Sequence, residues 1–197
     1  MRLDRAGWPF VLALGALSLV VYGFAPPLAA LGVLLLVFTL NFFRDPERQT
    51  LEDPLALISP ADGRVIRADA GRVSIFMNVF DVHVCRSPVA GRVTSVAHEP
   101  GRFLAAMKDE ASEQNERTTI VVQPEDGPQV RFVLVAGLIA RRIVCRVAAG
   151  RALSAGERVG IIRFGSRVDL DLPAGSTPAV VVGDRVVAGE SVVARRV

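Results

Sequence analysis

Three residues in this chain have the types needed for a self-directed nucleophilic reaction. The first is the serine of Arg163-Phe164-Gly165-Ser166-Arg167-Val168-Asp169. It lies between two stretches of alternating apolar and polar residues, which places it on or beside a tight hairpin. A glycine before the serine lets the backbone adopt conformations that other residues disfavour. In that setting the Ser166 hydroxyl can attack the carbonyl just before it. The amide becomes an ester, the ester eliminates, and dehydroalanine hydrolyses to a pyruvoyl group with loss of ammonia. The attack needs a base, and the chain has 2 histidines. His83, in Val79-Phe80-Asp81-Val82-His83-Val84, is flanked by β-branched residues of a buried strand, and a neutral imidazole suits proton transfer. His98, before Glu99-Pro100-Gly101, reads as an exposed turn residue. The base in turn needs an orienting carboxylate. Asp62, in Ser59-Pro60-Ala61-Asp62-Gly63, is a candidate, although Asp-Gly is equally a turn pair. Asp81 is the local rival, two residues from His83 and on the same strand face. Ser166, His83 and Asp62 together supply nucleophile, base and acid. A second Gly-Ser, in Ala174-Gly175-Ser176-Thr177, follows Pro173 in a loop with no strand before it, so Ser166 is preferred.

Composition removes several other chemistries. Two histidines rule out a His-rich metal site, and Cys85 and Cys145 form neither a CxxC pair nor a zinc spacing. No metal is expected, and the cysteines read as reduced structural thiols. The net charge is +3, carried almost wholly by arginine, with Lys108 the only lysine. The arginines are scattered and the soluble part has few aromatics, so no nucleic-acid partner is expected; an anionic membrane surface fits the excess.

The elements that must hold these residues fall into two parts. Residues 7–24 are apolar and uncharged, Pro26-Pro27 follows, and residues 28–43 are apolar again. Each run is near the lower length limit for a bilayer span, and the prolines turn the chain. Arg2 and Arg5 precede the pair while Arg44 and Arg48 follow it, which puts both ends on the cytoplasmic side. A cleaved signal peptide fits poorly, because no polar cleavage region separates the runs. The expected organisation is therefore a membrane-associated helical hairpin over 1–43 and a β-rich catalytic domain over 44–197. Short alternating strands are predicted at 63–68, 72–77, 91–97, 118–122, 130–136, 142–147, 159–164 and 167–172, with helix only at 103–113. This is a mainly β, barrel-sandwich-like domain with little helix. An internal echo supports it: Ser59-Pro60-Ala61-Asp62-Gly63-Arg64-Val65 returns as Ser87-Pro88-Val89-Ala90-Gly91-Arg92-Val93. A later pair, beginning at Ala155-Gly156-Glu157 and Val182-Gly183-Asp184, has the same turn-then-strand form. Such segments are similar to the flattened barrel of biotinyl and lipoyl carrier domains.

Six segments, in order along nearly the whole chain, make the sequence resemble short-form bacterial phosphatidylserine decarboxylases. They are Phe42-Phe43-Arg44-Asp45-Pro46-Glu47-Arg48, Ser59-Pro60-Ala61-Asp62-Gly63, Phe76-Met77-Asn78-Val79-Phe80-Asp81-Val82-His83, Asn115-Glu116-Arg117, residues 135–143, and residues 156–166 ending in Gly165-Ser166. The resemblance implies self-cleavage between Gly165 and Ser166. That gives a large chain, 1–165, and a small chain, 166–197, which stay together as a heterodimer. The small chain would begin with a covalent pyruvoyl group made from Ser166. It would form a Schiff base with phosphatidylserine, and decarboxylation would yield phosphatidylethanolamine. Asp62 and His83 match family positions implicated in cleavage. Longer family members carry a further histidine where this chain has Phe80, so no donor role is carried over there.

The chemistry is self-consistent. Decarboxylating an amino acid needs an electron sink, and pyridoxal phosphate would need a Schiff-base lysine. Lys108 sits in a charged Lys-Asp-Glu segment without a phosphate-binding motif, whereas a pyruvoyl carbonyl needs no lysine. Arg44, Arg48 and Arg167 are candidates for a lipid phosphate. The alternative is a non-enzymatic, membrane-anchored adaptor of biotinyl/lipoyl type, but no lysine stands in a candidate hairpin tip. A serine hydrolase would need G-x-S-x-G, which is absent.

Overall fold

The computed structural model describes residues 2–105, 107, 111–138, 142–163 and 166–196. It divides into two compact units, Met1–Glu47 and Arg48–Val197.

The first unit is a helical hairpin. It runs β1 (Arg2–Leu3), a 3-10 turn at Arg5–Gly7, α1 (Trp8–Tyr22), α2 (Pro26–Phe42) and β2 (Arg44–Asp45). Prolines at the first positions of α2 occur where the missing N–H would be unpaired anyway. Asp4 starts the first turn by accepting from the Ala6 N–H at 2.8 Å. β1 and β2 pair antiparallel, Arg2 opposite Asp45, so both ends of the hairpin meet. Gly32 lets the helices approach, since a Cβ there would run into Ser18. The helices keep almost nothing inside. α1 has no buried residue, and α2 buries only Ala29, Thr39 and Phe42. Leu12, Leu17, Leu19, Leu31 and Leu34 all face outward. A helix pair apolar on its outside is the reverse of a water-facing surface.

The second unit is built from strands. In order they are β3 (Ala56–Ile58), β4 (Gly63–Ala68), β5 (Arg72–Met77), β6 (Val84–Arg86) and β7 (Gly91–Glu99). After the one-turn helix α3 (Ala111–Gln114) come β8 (Arg117–Gln123), β9 (Val130–Ala136), β10 (Ile143–Cys145), β11 (Ala152–Leu153) and β12 (Arg158–Ile162). The chain ends with β13 (Ser166–Asp171), β14 (Thr177–Pro178), β15 (Arg185–Val186) and β16 (Val192–Arg195). The large sheet has the order β11-β7-β8-β9-β13-β5-β4-β15. Two three-stranded sheets, β10-β12-β6 and β14-β16-β3, complete the unit. Alternate residues of these strands form one core, including Ile75, Met77, Ile120, Phe132, Leu134, Ile162, Val168 and Leu170.

The mainly β class is as expected. The sheets, however, are open, and the flattened barrel does not close. Short strands β11 and β15 finish the two edges of the large sheet instead. Of the helix expected at 103–113, residues 103–105 and 107 are not helical, Ala111–Gln114 is, and residues 106 and 108–110 lie outside the described residues.

The sequence echo is a local two-fold repeat in three dimensions. Ile58 N–H donates to Pro88 O at 2.9 Å, and Arg86 N–H donates to Pro60 O at 2.9 Å. Each Ser-Pro turn closes alike, Ser59 Oγ donating to Ala61 O and Ser87 Oγ to Val89 O, both at 2.7 Å. Gly63 and Gly91 have φ +147° and +154°, and a Cβ at either would strike a backbone carbonyl, of Phe76 or of Gln123. The later pair has a different register from the one its sequence suggests. Gly156 N–H meets Ser87 O and Gly189 N–H meets Ser59 O, while Gly150 and Gly183 N–H meet Val93 O and Val65 O. The mate of Ala155-Gly156-Glu157 is therefore Ala188-Gly189-Glu190, not Val182-Gly183-Asp184.

Candidate active site

Ser166 opens β13, the strand paired with β5 on one side and β9 on the other. It lies opposite Met77 and Ala136. Alternation puts its side chain on the same face as Val168 and Leu170, toward the core. The residue is fully buried, and its hydroxyl has no hydrogen-bond partner among the described residues. An unsatisfied buried hydroxyl costs about 1–3 kcal/mol, so this one calls for a functional explanation. Phe164 and Gly165, on the other side of the expected cut, lie outside the described residues.

His83 comes to the same region by the neighbouring route. β5 pairs with β13, and β6 pairs with β12. His83, at the end of the β5–β6 connection, and Ser166, at the start of β13, therefore both stand where the chain changes from one of these sheets to the other. His83 O accepts from Ile162 N–H at 3.3 Å, four residues before Ser166. His83 is fully buried, immediately before β6. Its Nδ1 is 3.0 Å from Asp81 O. A carbonyl oxygen only accepts, so Nδ1 carries the proton and Nε2 of the neutral ring holds the lone pair.

Asp62 is held by Arg48 and by the backbone of Ala188. Its carboxylate takes Arg48 NH2 on both oxygens, at 3.1 and 2.8 Å, and the Ala188 N–H at 2.7 Å. It lies near the His83 strand: burial pushes the Cys85 thiol up, and the charges of Asp62 and then Cys145 act in the same direction. Sequence reasoning had no means of finding the Arg48 partner, which is 14 positions away.

The two arginines in this unit expected to hold phosphate are committed to carboxylates. Arg48 binds Asp62, and Arg167 is 1% exposed. Arg167 Nε donates to Asp169 Oδ1 at 2.5 Å and its NH2 to Ser74 Oγ at 3.0 Å, on the sheet face away from the core. Ser112 Oγ adds a bond to Asp169 Oδ2 at 2.7 Å. In the other unit, Arg44 NH1 donates to Asn41 O at 2.7 Å. Asn115 is a residue whose importance alternation does not reveal. Its buried amide donates to Ala136 O at 2.8 Å, next to Ser166, and to Leu104 O at 2.9 Å. The only sequence signal was its place in one of the six matching segments. His98 contacts Thr118 Oγ1 at 3.1 Å, on β8 rather than near Ser166. Ser176 follows a left-handed Gly175, φ +84°, in a turn before β14. Among the described residues no cluster of His, Cys, Asp and Glu is suited to a metal.

The family model for phosphatidylserine decarboxylase matches residues 68–194, which contain both His83 and Ser166. The chain belongs to the phosphatidylserine decarboxylase family. Relatives named phosphatidylserine decarboxylase proenzyme agree over almost their full length. That of Burkholderia multivorans is 45% identical, with 96% of this chain and 94% of the relative covered. That of Burkholderia ambifaria is 46% identical over the same shares. That of Syntrophus aciditrophicus is 46% identical, covering 95% of this chain and 94% of its own. Asp62 lies ahead of the stretch matched by the family model but within the reach of these relatives.

Proposed function

We propose that this chain is made as a precursor that cuts itself between Gly165 and Ser166, and that the product decarboxylates phosphatidylserine to phosphatidylethanolamine at a membrane. The observation that carries this reading is the buried hydroxyl of Ser166, without a hydrogen-bond partner among the described residues, at the head of a central strand in a chain of this family. His83 Nε2 takes the hydroxyl proton, and Oγ bonds to the Gly165 carbonyl carbon as the peptide C–N bond breaks. The resulting ester loses the Gly165 carboxylate by elimination. Water then replaces the nitrogen of the dehydroalanine, ammonia leaves, and a ketone remains at position 166. The site suits such a group, because a ketone at this buried position takes the place of a hydroxyl that has no hydrogen bond to lose among the described residues. A pyruvoyl group made from Ser166 would supply there a carbonyl able to take the substrate amine and to hold the electrons left when CO2 departs. Asp62, held by Arg48, supplies negative charge beside the His83 strand.

The hairpin supports action at a bilayer. Its residues 5–22 form a helical stretch long and apolar enough to cross a membrane, and only 6% of that window is buried. α1 and α2 have 15 and 17 residues, and at about 1.5 Å per residue they reach roughly 22 and 26 Å, close to the ~30 Å of a hydrocarbon layer. Both ends of the hairpin come together, and Arg2, Arg5, Arg44 and Arg48 flank it, which supports a catalytic unit on the cytoplasmic side.

Mass spectrometry of purified protein tests the reading. Two chains are expected, 1–165 and 166–197, the smaller blocked at its amino terminus. Ser166→Ala should give one intact chain that releases no CO2 from carboxyl-labelled phosphatidylserine, and His83→Ala should stay uncut. An active wild-type protein consisting of one uncut chain would overturn it.

A further inference from the structure

We infer that Asp81 is a positioning residue for His83, acting through its backbone carbonyl and not through its charge. The inference rests on His83 being the base proposed above. The segment Asn78–Asp81 is a turn that closes on itself. Asp81 N–H donates to Asn78 O at 3.0 Å, and Asn78 N–H donates back to Asp81 Oδ2 at 2.8 Å. Phe80 N–H donates to Asn78 Oδ1 at 2.8 Å. Two side chains thus satisfy two backbone donors of one tight turn, the local pattern by which Asn and Asp fix a bend. Asp81 is 7% exposed, so the turn is built into the molecule and not laid on its surface.

The consequence is one fixed oxygen. With the turn locked, Asp81 O points at His83 Nδ1 at 3.0 Å. That contact sets the tautomer and the ring orientation, the task a carboxylate performs in a catalytic triad. Asp81 carboxylate is meanwhile turned away from the imidazole. Its Oδ2 is on Asn78 N–H, and its Oδ1 lies 3.7 Å from Arg185, whose side chain is 67% exposed. An ion pair at that separation whose cation is largely in solvent contributes little. Position 81 therefore needs an oxygen that accepts from Asn78 N–H, and it has no need of a negative charge.

Substitution separates the two roles. Asp81→Asn keeps the acceptor and removes the charge, whereas Asp81→Ala removes both. Self-cleavage of freshly translated precursor is followed by the appearance of the two chains. Asp81→Asn should cut within about threefold of wild type, and Asp81→Ala at least about tenfold more slowly, a small part of what a general base contributes. Arg185→Ala is the control and should cut at the wild-type rate. The second readout does not depend on cleavage. In a Ser166→Ala, His98→Gln precursor, His83 is the only histidine. Its 15N ring shifts should show a protonated Nδ1 and a bare Nε2, unchanged by Asp81→Asn and averaged by Asp81→Ala. Should Asp81→Ala not fold, Asn78→Ala, which frees Phe80 N–H, is measured in its place and should also average the ring signals. The inference is overturned if Asp81→Asn cuts as slowly as Asp81→Ala, or if the ring signals are the same in every variant. If wild-type precursor never cuts, the proposed function fails, and the ring signals still decide the role of Asp81.

Discussion

At the scale of single residues, the unusual feature is how much charge is buried beside the proposed cut. Arg167 follows Ser166 directly and is 1% exposed, with Asp169 equally hidden. Burying an ion pair is costly, and removing one partner is worse, because the other charge is left in a medium that cannot solvate it. Arg167→Ala should therefore destabilise the Ser166→Ala precursor by about 3 kcal/mol, read as a lowered denaturation midpoint at constant slope. Arg167→Lys should recover part of that loss and no more, since an ammonium cannot reproduce the guanidinium fork that reaches Asp169 and Ser74 together. The sequence did not disclose this. An arginine alternating with valine and leucine reads as the solvent side of a strand, and only the ring of Ser74, Asp169 and Ser112 reveals that the outer face is covered here. Cys85 illustrates the same effect on a titrating group. Its thiol is pushed up first by burial and then by the Asp62 and Cys145 charges, so little thiolate exists near neutral pH. Iodoacetamide at pH 8 should modify the half-buried Cys145 well before Cys85 in folded protein, and both equally fast in denaturant. Peptide mapping of the alkylated protein checks this.

At the scale of elements, alternation is a dependable guide wherever one strand face meets the core. β4, β5 and β9 begin and end at the predicted residues, and β13 begins one residue earlier, at Ser166 itself. Prediction at 103–113 fared worse, because a short charged stretch has no tertiary partner visible in its own sequence. In fact side-chain bonds from Asn115 and Ser112 tie that stretch to β9 and β13. The first echo was legible because Ser-Pro and Gly do the same mechanical work in both copies. The second was misread because Gly-Asp-Arg-Val imitates Gly-Glu-Arg-Val, while the hydrogen bonds to Ser59 and Ser87 select Gly189 and Gly156. Asp62 is named by its turn motif, and its Arg48 partner comes from another segment that only the fold brings near. The repeat also makes a prediction of its own. Gly63 and Gly91 occupy equivalent turns at positive φ, each pressed against a carbonyl of the adjoining strand. Gly63→Ala and Gly91→Ala should each cost about 2 kcal/mol or more, whereas Gly150→Ala, at φ +91° but with open space around it, should cost less. Thermal unfolding of the three variants in the Ser166→Ala background tests the order.

At the scale of the whole molecule, the proposed cut falls where a fold can best bear it. β12 ends at Ile162 in one sheet and β13 begins at Ser166 in another, so the proposed cut falls between two strands and inside neither. The segment on the carboxyl side of the cut is woven through the rest. β13 is flanked by β9 and β5, β15 pairs with β4, and β16 pairs with β3. Val168, Leu170 and Val193 are fully buried, and at roughly 1.5–3 kcal/mol for each such side chain they alone contribute on the order of 5 kcal/mol to holding the small chain. A small chain that left would strip the large sheet of a central strand and open both flanking ladders. The cleaved protein should therefore elute as one species under native conditions and release residues 166–197 only in denaturant. Its unfolding should then carry a signature that the uncut precursor lacks. Two chains separate on unfolding, so the midpoint of the cleaved form rises with protein concentration, while that of Ser166→Ala does not. Melting both proteins across a hundredfold range of concentration decides the matter, and a midpoint of the cleaved form that stays fixed would show that the chains do not part when the fold is lost.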